Sequence, residues 1–478
     1  MTTKVKPMRN SNARTPRFLS LSVLALLAGC SMAPIYERPP APVAAQWPAS
    51  SADNTAATTA AADMAWQDFV GDARLRELVT LALDNNRDLR VALAAIEQAR
   101  AQYQIRRADQ LPTINAAVAG NRQPSSDGES ISSAYTAGLA MASWELDFFG
   151  RVASLKDAAL AQFLATQEAR NAVQTSLIAS VVSTWLSLQT NNELLALTQR
   201  TLATRQDSLR LNRMRFEQGV TSALDLRQAE SLTAAAQATL AQQRRLRALD
   251  VNALTQLVGQ PLPEALLAAP AIPAAQSLHD VPVGMPSDLL ERRPDIRQAE
   301  QQLIAANANI GAARAAFFPR IALTASAGTA SGALSGLFQS GAWGWTLAPQ
   351  AVLPIFDAGR NQAALESAQA GRDMALAQYE KAIQGAFREV ADALAGQATL
   401  GEQVRAQQAQ ADAEADRFRL ADLRYRNGVA SYLDVLDAQR ALFATQQALA
   451  QTQLAQQQNR VALYKALGGG WSAQAPQL

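Results

Sequence analysis

Arg215-Phe216-Glu217-Gln218-Gly219-Val220-Thr221-Ser222-Ala223-Leu224-Asp225 returns downstream as Arg424-Tyr425-Arg426-Asn427-Gly428-Val429-Ala430-Ser431-Tyr432-Leu433-Asp434, and six of the eleven positions are identical. The same offset of 209 residues, from Arg215 to Arg424, carries Gly150-Arg151 onto Gly359-Arg360 and Gly259 onto Gly468. Leu111-Pro112-x-Ile114 answers Phe318-Pro319-x-Ile321 at an offset of 207. One large unit is duplicated, so each reading of one half is checked on the other.

Outward from these turns the chain is helical. From Val152 to Arg213 there is no proline and no glycine, a run of about sixty residues that spans roughly 90 Å as an unbroken helix. A second long helix is expected from Ser222 to Val258, and the second half replays the order with a helix from Gly359-Arg360 to about Asn427 and another from Ser431 to Leu467. Seven-residue spacings such as Leu436 to Phe443 and Leu454 to Val461 fit coiled-coil seams, and abundant alanine permits close helix approach. Upstream, apolar residues from Leu75 to Ile96 step at helical spacing, predicting one amphipathic helix from Arg74 to Tyr103, with a counterpart from Ser287 to Ala316.

Between helices the period changes to two. Ile114, Ala116 and Val118 alternate with Asn115, Ala117 and Ala119; a polar run from Asn121 to Ser133 reads as a loop; Tyr135, Ala137, Leu139 and Met141 alternate again. The second half pairs strands Arg320–Ala327 and Trp343–Leu353 around a Gly/Ser loop, Gly328 to Ala342. Each strand has roughly the ten residues that a tilted transmembrane strand requires, yet four strands cannot close a membrane barrel and an open edge in lipid is costly, so several chains must share one. Trp144, Phe148, Phe149, Trp343, Trp345 and Phe356 stand near strand ends, where interfacial aromatics sit.

The N-terminus is a processing signal. Lys4, Lys6, Arg9, Arg14 and Arg17 precede an apolar run, Phe18 to Ala28, too short to span a bilayer and ending in Leu27-Ala28-Gly29-Cys30. Cys30 is the only cysteine, which excludes an intrachain disulfide; the run Leu27-Ala28-Gly29-Cys30 resembles a bacterial lipobox, which implies lipidation, the alternative being an ordinary secretory signal that ends near a cysteine. The formal charge of +2 gives no nucleic-acid footprint. The predicted organisation is a signal peptide at 1–29, a lipidated tether at 30–65, a first repeat at 66–260 with its hairpin at 112–147, a Pro-rich linker at 261–286, a second repeat at 287–470 with its hairpin at 319–355, and a tail at 471–478.

No catalytic or metal-binding constellation stands out. The chain has one histidine, His279, in the linker, and its one cysteine is taken by the lipid signal, so Cys-His, Ser-His and His/Cys metal sets are unavailable. The carboxylates worth attention lie at the repeated turns. Ser222-x-x-Asp225 and Ser431-x-x-Asp434 open helices, where capping and function are equally good readings. Asp437 lies beyond the capping position and its counterpart is Gln228; it reads either as a solvated surface charge or, in a symmetric oligomer, as one member of a ring able to set cation preference.

Pro286-Ser287-Asp288-Leu289-Leu290-Glu291-Arg292-Arg293-Pro294-Asp295-Ile296, then Ala313-Arg314-Ala315-Ala316-Phe317-Phe318-Pro319, Leu353-Pro354-Ile355-Phe356-Asp357-x-Gly359-Arg360 and the two turns resemble the TolC-like outer-membrane factors, in particular their lipoprotein branch. The resemblance runs from Trp66 to Gly468. It implies a mainly α fold with a membrane β part, in which a homotrimer builds a 12-stranded β-barrel continuous with a long periplasmic α-helical barrel. It implies a passive duct for small toxic molecules, needing no cofactor, with diacylglycerol and palmitate on Cys30. The implied partners are a periplasmic membrane-fusion adaptor and an inner-membrane pump of the resistance-nodulation-division type. It also implies that Gly219 and Gly428 mark the helix tips, that Asp434 and Asp437 line the closed aperture, and that Asp225 and Tyr425 tie neighbouring helices shut. At Ala430 the chain departs from members that carry a latching arginine. The alternatives are a duct for type I protein secretion and a poreless lipoprotein scaffold; a scaffold has no use for two membrane-length hairpins.

Overall fold

A computed structural model describes residues 31–47, 64–124, 131–268, 278–281 and 288–471. The elements in order are α1 (Trp66–Phe69), α2 (Ala73–Asn85), α3 (Arg87–Ala108), β1 (Ile114–Pro124), β2 (Ile131–Leu146), α4 (Arg151–Glu217), α5 (Ala223–Val258), α6 (Glu264–Ala268), α7 (Asp288–Arg292), α8 (Pro294–Ala315), β3 (Arg320–Ser331), β4 (Trp343–Val352), α9 (Arg360–Arg426) and α10 (Tyr432–Ala466). They divide into two compact units. One holds Ala99–Phe163 and Gln302–Leu376 with the N-terminal segment to Arg38; the other holds Pro39–Gln98, Leu164–Gln301 and the chain from Ala377 onward.

The first unit carries a four-stranded antiparallel sheet in the order β1-β2-β3-β4. Directly opposed residues share a face, and the register puts Ile114 against Met141, Ala116 against Leu139, Leu139 against Ala327, and Ala327 against Trp345. These build one apolar face across all four strands. The opposite face holds small and polar residues, including Ser326 and Thr346, whose hydroxyls are 2.7 Å apart. On that face Gly138 opposes Gly328; a Cβ on either would lie 2.4 Å from a carbonyl oxygen of the other strand, so only glycine fits.

An irregularity between Met141 and Trp144 includes Ser143 at φ 49°. It reverses the parity of β2: before it Leu139 and Met141 take the apolar face, and after it Trp144 opposes Leu323 while Glu145 opposes Ala322 on the polar face. Without this shift Glu145 would face the apolar side. Instead its carboxylate accepts two hydrogen bonds from the Arg151 guanidinium, at 2.8 and 2.7 Å, and pairs with Arg320 at 2.7 Å.

The second unit packs its core where α2 and α3 meet the long helices. Phe69, Leu75, Leu78, Val181, Leu188, Leu254 and Val258 are fully buried, and Phe69 stacks on Tyr464 with centroids 4.1 Å apart. The duplication reappears here as a clasp. Asn86 lies between α2 and α3, accepts from the amide of Leu89 at 2.9 Å and donates to the Leu257 carbonyl at 2.8 Å. Its counterpart at the 207 offset, Arg293, lies between α7 and α8 and donates to the Ala466 carbonyl at 2.9 Å, where Ala466 is the 209-offset counterpart of Leu257. Arg293 also binds Asp295 at 2.6 Å and Glu389 at 2.8 Å. Burial alone would raise the Asp295 carboxyl, but hydrogen bonding and charge from Arg293 outweigh it and hold that carboxyl below its ordinary value.

Several expectations are corrected. The helix read from Arg74 to Tyr103 breaks at Asn86, because this buried side chain caps the second piece and ties it to α5. The helix read from Ser287 to Ala316 breaks at Arg293, since Pro294 starts a helix but cannot sit inside one. The described ends of the polar run from Asn121 to Ser133 are strand: β1 reaches Pro124 and β2 begins at Ile131, with ladder bonds satisfying the backbone whatever the side chains. Likewise β3 continues to Ser331. The linker contains α6, and Leu278 forms an antiparallel bridge with Val70, with the His279 amide donating to Phe69 at 3.0 Å. The N-terminal segment is no free tether along its described part. Asn307 of α8 donates to the Pro34 carbonyl at 2.7 Å, and Trp47 is buried in a stack on Phe387.

Candidate functional site

The helix tips lie within the second unit. Gly219 ends α4 at φ +70° and Gly428 ends α9 at φ +73°. Nothing lies within 4 Å of a Cβ built on either glycine, so the left-handed backbone rather than packing calls for glycine. Both turns close with the same hydrogen bonds: Gly219 to Phe216 and Val220 to Arg215 at 2.9 and 2.8 Å, and Gly428 to Tyr425 and Val429 to Arg424 at 3.0 and 2.9 Å. Four apolar side chains around the turns face solvent, Val220 at 74%, Leu224 at 66%, Val429 at 68% and Leu433 at 52% exposure.

The next helices start on Ser222 and Ser431. The amide and hydroxyl of Ser222 donate to Asp225 at 3.3 and 2.7 Å, the Asp225 amide donates back to the serine hydroxyl, and Thr221 adds a hydroxyl at 3.0 Å. The hydrogen bond from Ser222 is the main reason that the Asp225 carboxyl is held below its ordinary value. The amide and hydroxyl of Ser431 donate likewise to Asp434, at 3.2 and 3.1 Å, but Ala430 replaces Thr221 and supplies no hydroxyl. Both aspartates therefore cap helices, and Asp434 is the more exposed.

Beneath the turns, Tyr432, Val435 and Leu436 pack with Ala229 and Leu232, and Leu209, Phe418 and Tyr425 lie against them. Arg215 lies over the Tyr425 ring at 5.2 Å and donates to its hydroxyl. Tyr425 and Tyr432 meet with centroids 5.2 Å apart, and burial raises the Tyr432 hydroxyl. No hydrogen bond joins Asp225 to Tyr425 among the described residues; each is engaged elsewhere. Asp437, on the same exposed face of α10 as Asp434, is bound by Arg417 of α9, which also binds Glu414 at 3.1 Å. Cys30 lies outside the described residues.

Sequence reasoning missed Arg215 and Arg417. Arg215 stands in the repeated motif itself, with Arg424 as its counterpart. The signal for Arg417 is that Arg417 and Asp437 both lose their charge at the 209 offset, to Ser208 and Gln228. Among the described residues no cluster of three or more His, Cys, Asp or Glu is placed to hold a metal ion, and no helix is long and apolar enough to cross a membrane.

The profile of the outer membrane efflux protein family matches residues 78–260 and 285–469, the two repeats. The chain belongs to this family. This outer membrane efflux protein is 48% identical over 472 residues to a toluene efflux pump outer membrane protein, TtgC, of Pseudomonas putida, covering 97% of each chain. It is equally similar, 48% over 472 residues and 97% of each chain, to the antibiotic efflux pump outer membrane protein ArpC of Pseudomonas putida. Its fold matches the open state of the MtrE outer membrane channel of Neisseria gonorrhoeae with a TM-score of 0.85 and 41% identity, over 92% of this chain and 98% of that one. The outer membrane efflux protein is thus the outer-membrane duct of an efflux system and not an enzyme. Its fold is mainly helical with a membrane β part.

Proposed function

We propose that three copies of the chain assemble into one duct, with a closed barrel in the outer membrane and a helical tunnel in the periplasm. The observation that carries this reading is the four-stranded sheet, apolar across one face, whose outer strands β1 and β4 have no further partner among the described residues. In lipid each unpaired backbone group costs several kcal/mol. Closed membrane barrels start at about eight strands, so pairing β4 of one copy with β1 of the next closes the edges, and a trimer yields twelve strands from four per chain.

In this reading Cys30 carries diacylglycerol and palmitate and anchors the chain, and Asp434 and Asp437 line the periplasmic aperture. Val220, Leu224, Val429 and Leu433 offer exposed apolar contacts for a periplasmic adaptor at the tips, which couples the duct to an inner-membrane pump of the resistance-nodulation-division type. The cargo is small toxic molecules such as drugs or organic solvents. That relatives named for toluene and for antibiotics are equally similar supports selection by the pump rather than the duct.

Single-channel recording of the purified protein in planar bilayers tests the reading, alongside the mass of the detergent-solubilised assembly. Discrete conductance steps from a species of three chains are expected; a monomer without conductance would overturn it. Palmitate incorporation is expected to vanish in Cys30→Ser, and labelling that persists there would refute the anchor.

A further inference from the structure

We infer that Arg417 sets the charge of the aperture: by binding Asp437 within one protomer it neutralises one of two carboxylates and so tunes the cation preference of the duct. The inference rests on the reading above that Asp437 faces the aperture.

Four observations carry it. First, Asp434 and Asp437 are three residues apart on α10 and share its exposed face, but their surroundings differ. Among the described residues Asp434 accepts from its own Ser431, whereas Asp437 accepts a guanidinium from another helix. Second, Arg417 lies between Asp437 and Glu414, so its one positive charge is shared by two carboxylates and its loss leaves two uncompensated. Third, the side chains of Arg417 and Asp437 are 47% and 56% exposed, and an ion pair so open to solvent adds little to folding stability. Its value must lie elsewhere.

Fourth, the duplication supplies a control. At the 209 offset Arg417 becomes Ser208 and Asp437 becomes Gln228, so both charges are absent from the first repeat. That repeat still forms the same helical hairpin with the same turn, which shows that the pair is not needed to build it. An unmatched Asp437 would add a full negative charge per protomer to a ring, where like charges reinforce one another's field on a passing ion.

The test is the cation-to-anion permeability ratio in planar bilayers under a KCl gradient at low ionic strength, where screening is weakest. Arg417→Gln is expected to raise the ratio about twofold or more and to sharpen block by divalent cations; Asp437→Asn is expected to lower it. The double variant, which reproduces the neutral pair of the first repeat, is expected to return toward wild type, and Arg417→Lys to stay near it. A merely structural arginine would not produce shifts of opposite sign that cancel. If Arg417→Gln leaves the ratio unchanged while Asp437→Asn moves it, Arg417 does not set the charge and the inference falls while the aperture reading stands. If neither variant moves the ratio, Asp437 is not at the aperture and both readings fall.

Discussion

The turn at Gly219 and the turn at Gly428 close with the same two backbone hydrogen bonds, start their next helices on the same serine and present equivalent exposed apolar side chains, yet the charges around them have diverged. In the first repeat Asp225 has a threonine hydroxyl as an extra donor, and the position of Asp437 is a neutral glutamine. In the second, Ala430 removes that donor and Arg417 faces Asp437. Duplication has thus held fixed what the backbone requires and released what it does not. A left-handed backbone favours glycine even with open space around it, while an exposed helix face accepts any charge.

The same contrast runs through the clasps, and there it has the largest expected effect. Asn86 and Arg293 hold equivalent carbonyls, but Arg293 is also the buried centre of an ion cluster. Arg293→Ala is expected to destabilise by about 2 kcal/mol, leaving the Ala466 carbonyl and two partly exposed carboxylates without their guanidinium, and Asn86→Ala by about 1 kcal/mol. Thermal unfolding in detergent measures both, and equal losses would break the distinction.

A smaller and symmetric effect is expected at the turns. Gly219→Ala and Gly428→Ala each strain a positive φ without a clash and are expected to cost about 1 kcal/mol apiece. Unequal losses would show that the backbones are not equivalent after all.

Smallest is the capping difference. Thr221→Ala is expected to cost about 0.5 kcal/mol and Ala430→Thr to recover a similar amount. The pH dependence has a definite sign: because the folded-state carboxyl of Asp225 is held below its ordinary value of 3.8, its contribution is complete above that pH and is lost as pH falls through the lowered value. Ser222→Ala, which removes the main cause, is expected to flatten the acid limb of the stability curve.

The long helices, the paired hairpins and the two turns are legible in the sequence because each rests on a local period or on a fixed offset. What is not legible depends on distant partners. The break at Asn86 is set by a carbonyl 171 residues away, whereas the break at Arg293 is marked in the sequence itself by Pro294. The parity change at Ser143 is invisible to alternation, which has no term for one extra residue in one strand. Strand pairing through Asn121 to Pro124 overrides a polar composition that reads as loop. At the tips the aspartates are legible from their spacing; the guanidinium bound to Asp437 is not, since Arg417 lies on the other helix of the hairpin.

The strap at the N-terminus sets the length of a leash. Asn307 holds the Pro34 carbonyl, and Gly311 makes room for Ala33: a Cβ there would lie 2.8 Å from the Ala33 Cα, whereas its counterpart at the 207 offset is Gln104. Pro34 stands only four positions beyond Cys30, a reach of about 14 Å at full extension. In the proposed reading an acyl chain on Cys30 would stay within that reach of the point where Asn307 of α8, in the second repeat, holds Pro34. In a symmetric assembly it would mark one particular seam of each protomer and fix how deep the inner leaflet of the outer membrane sits against it.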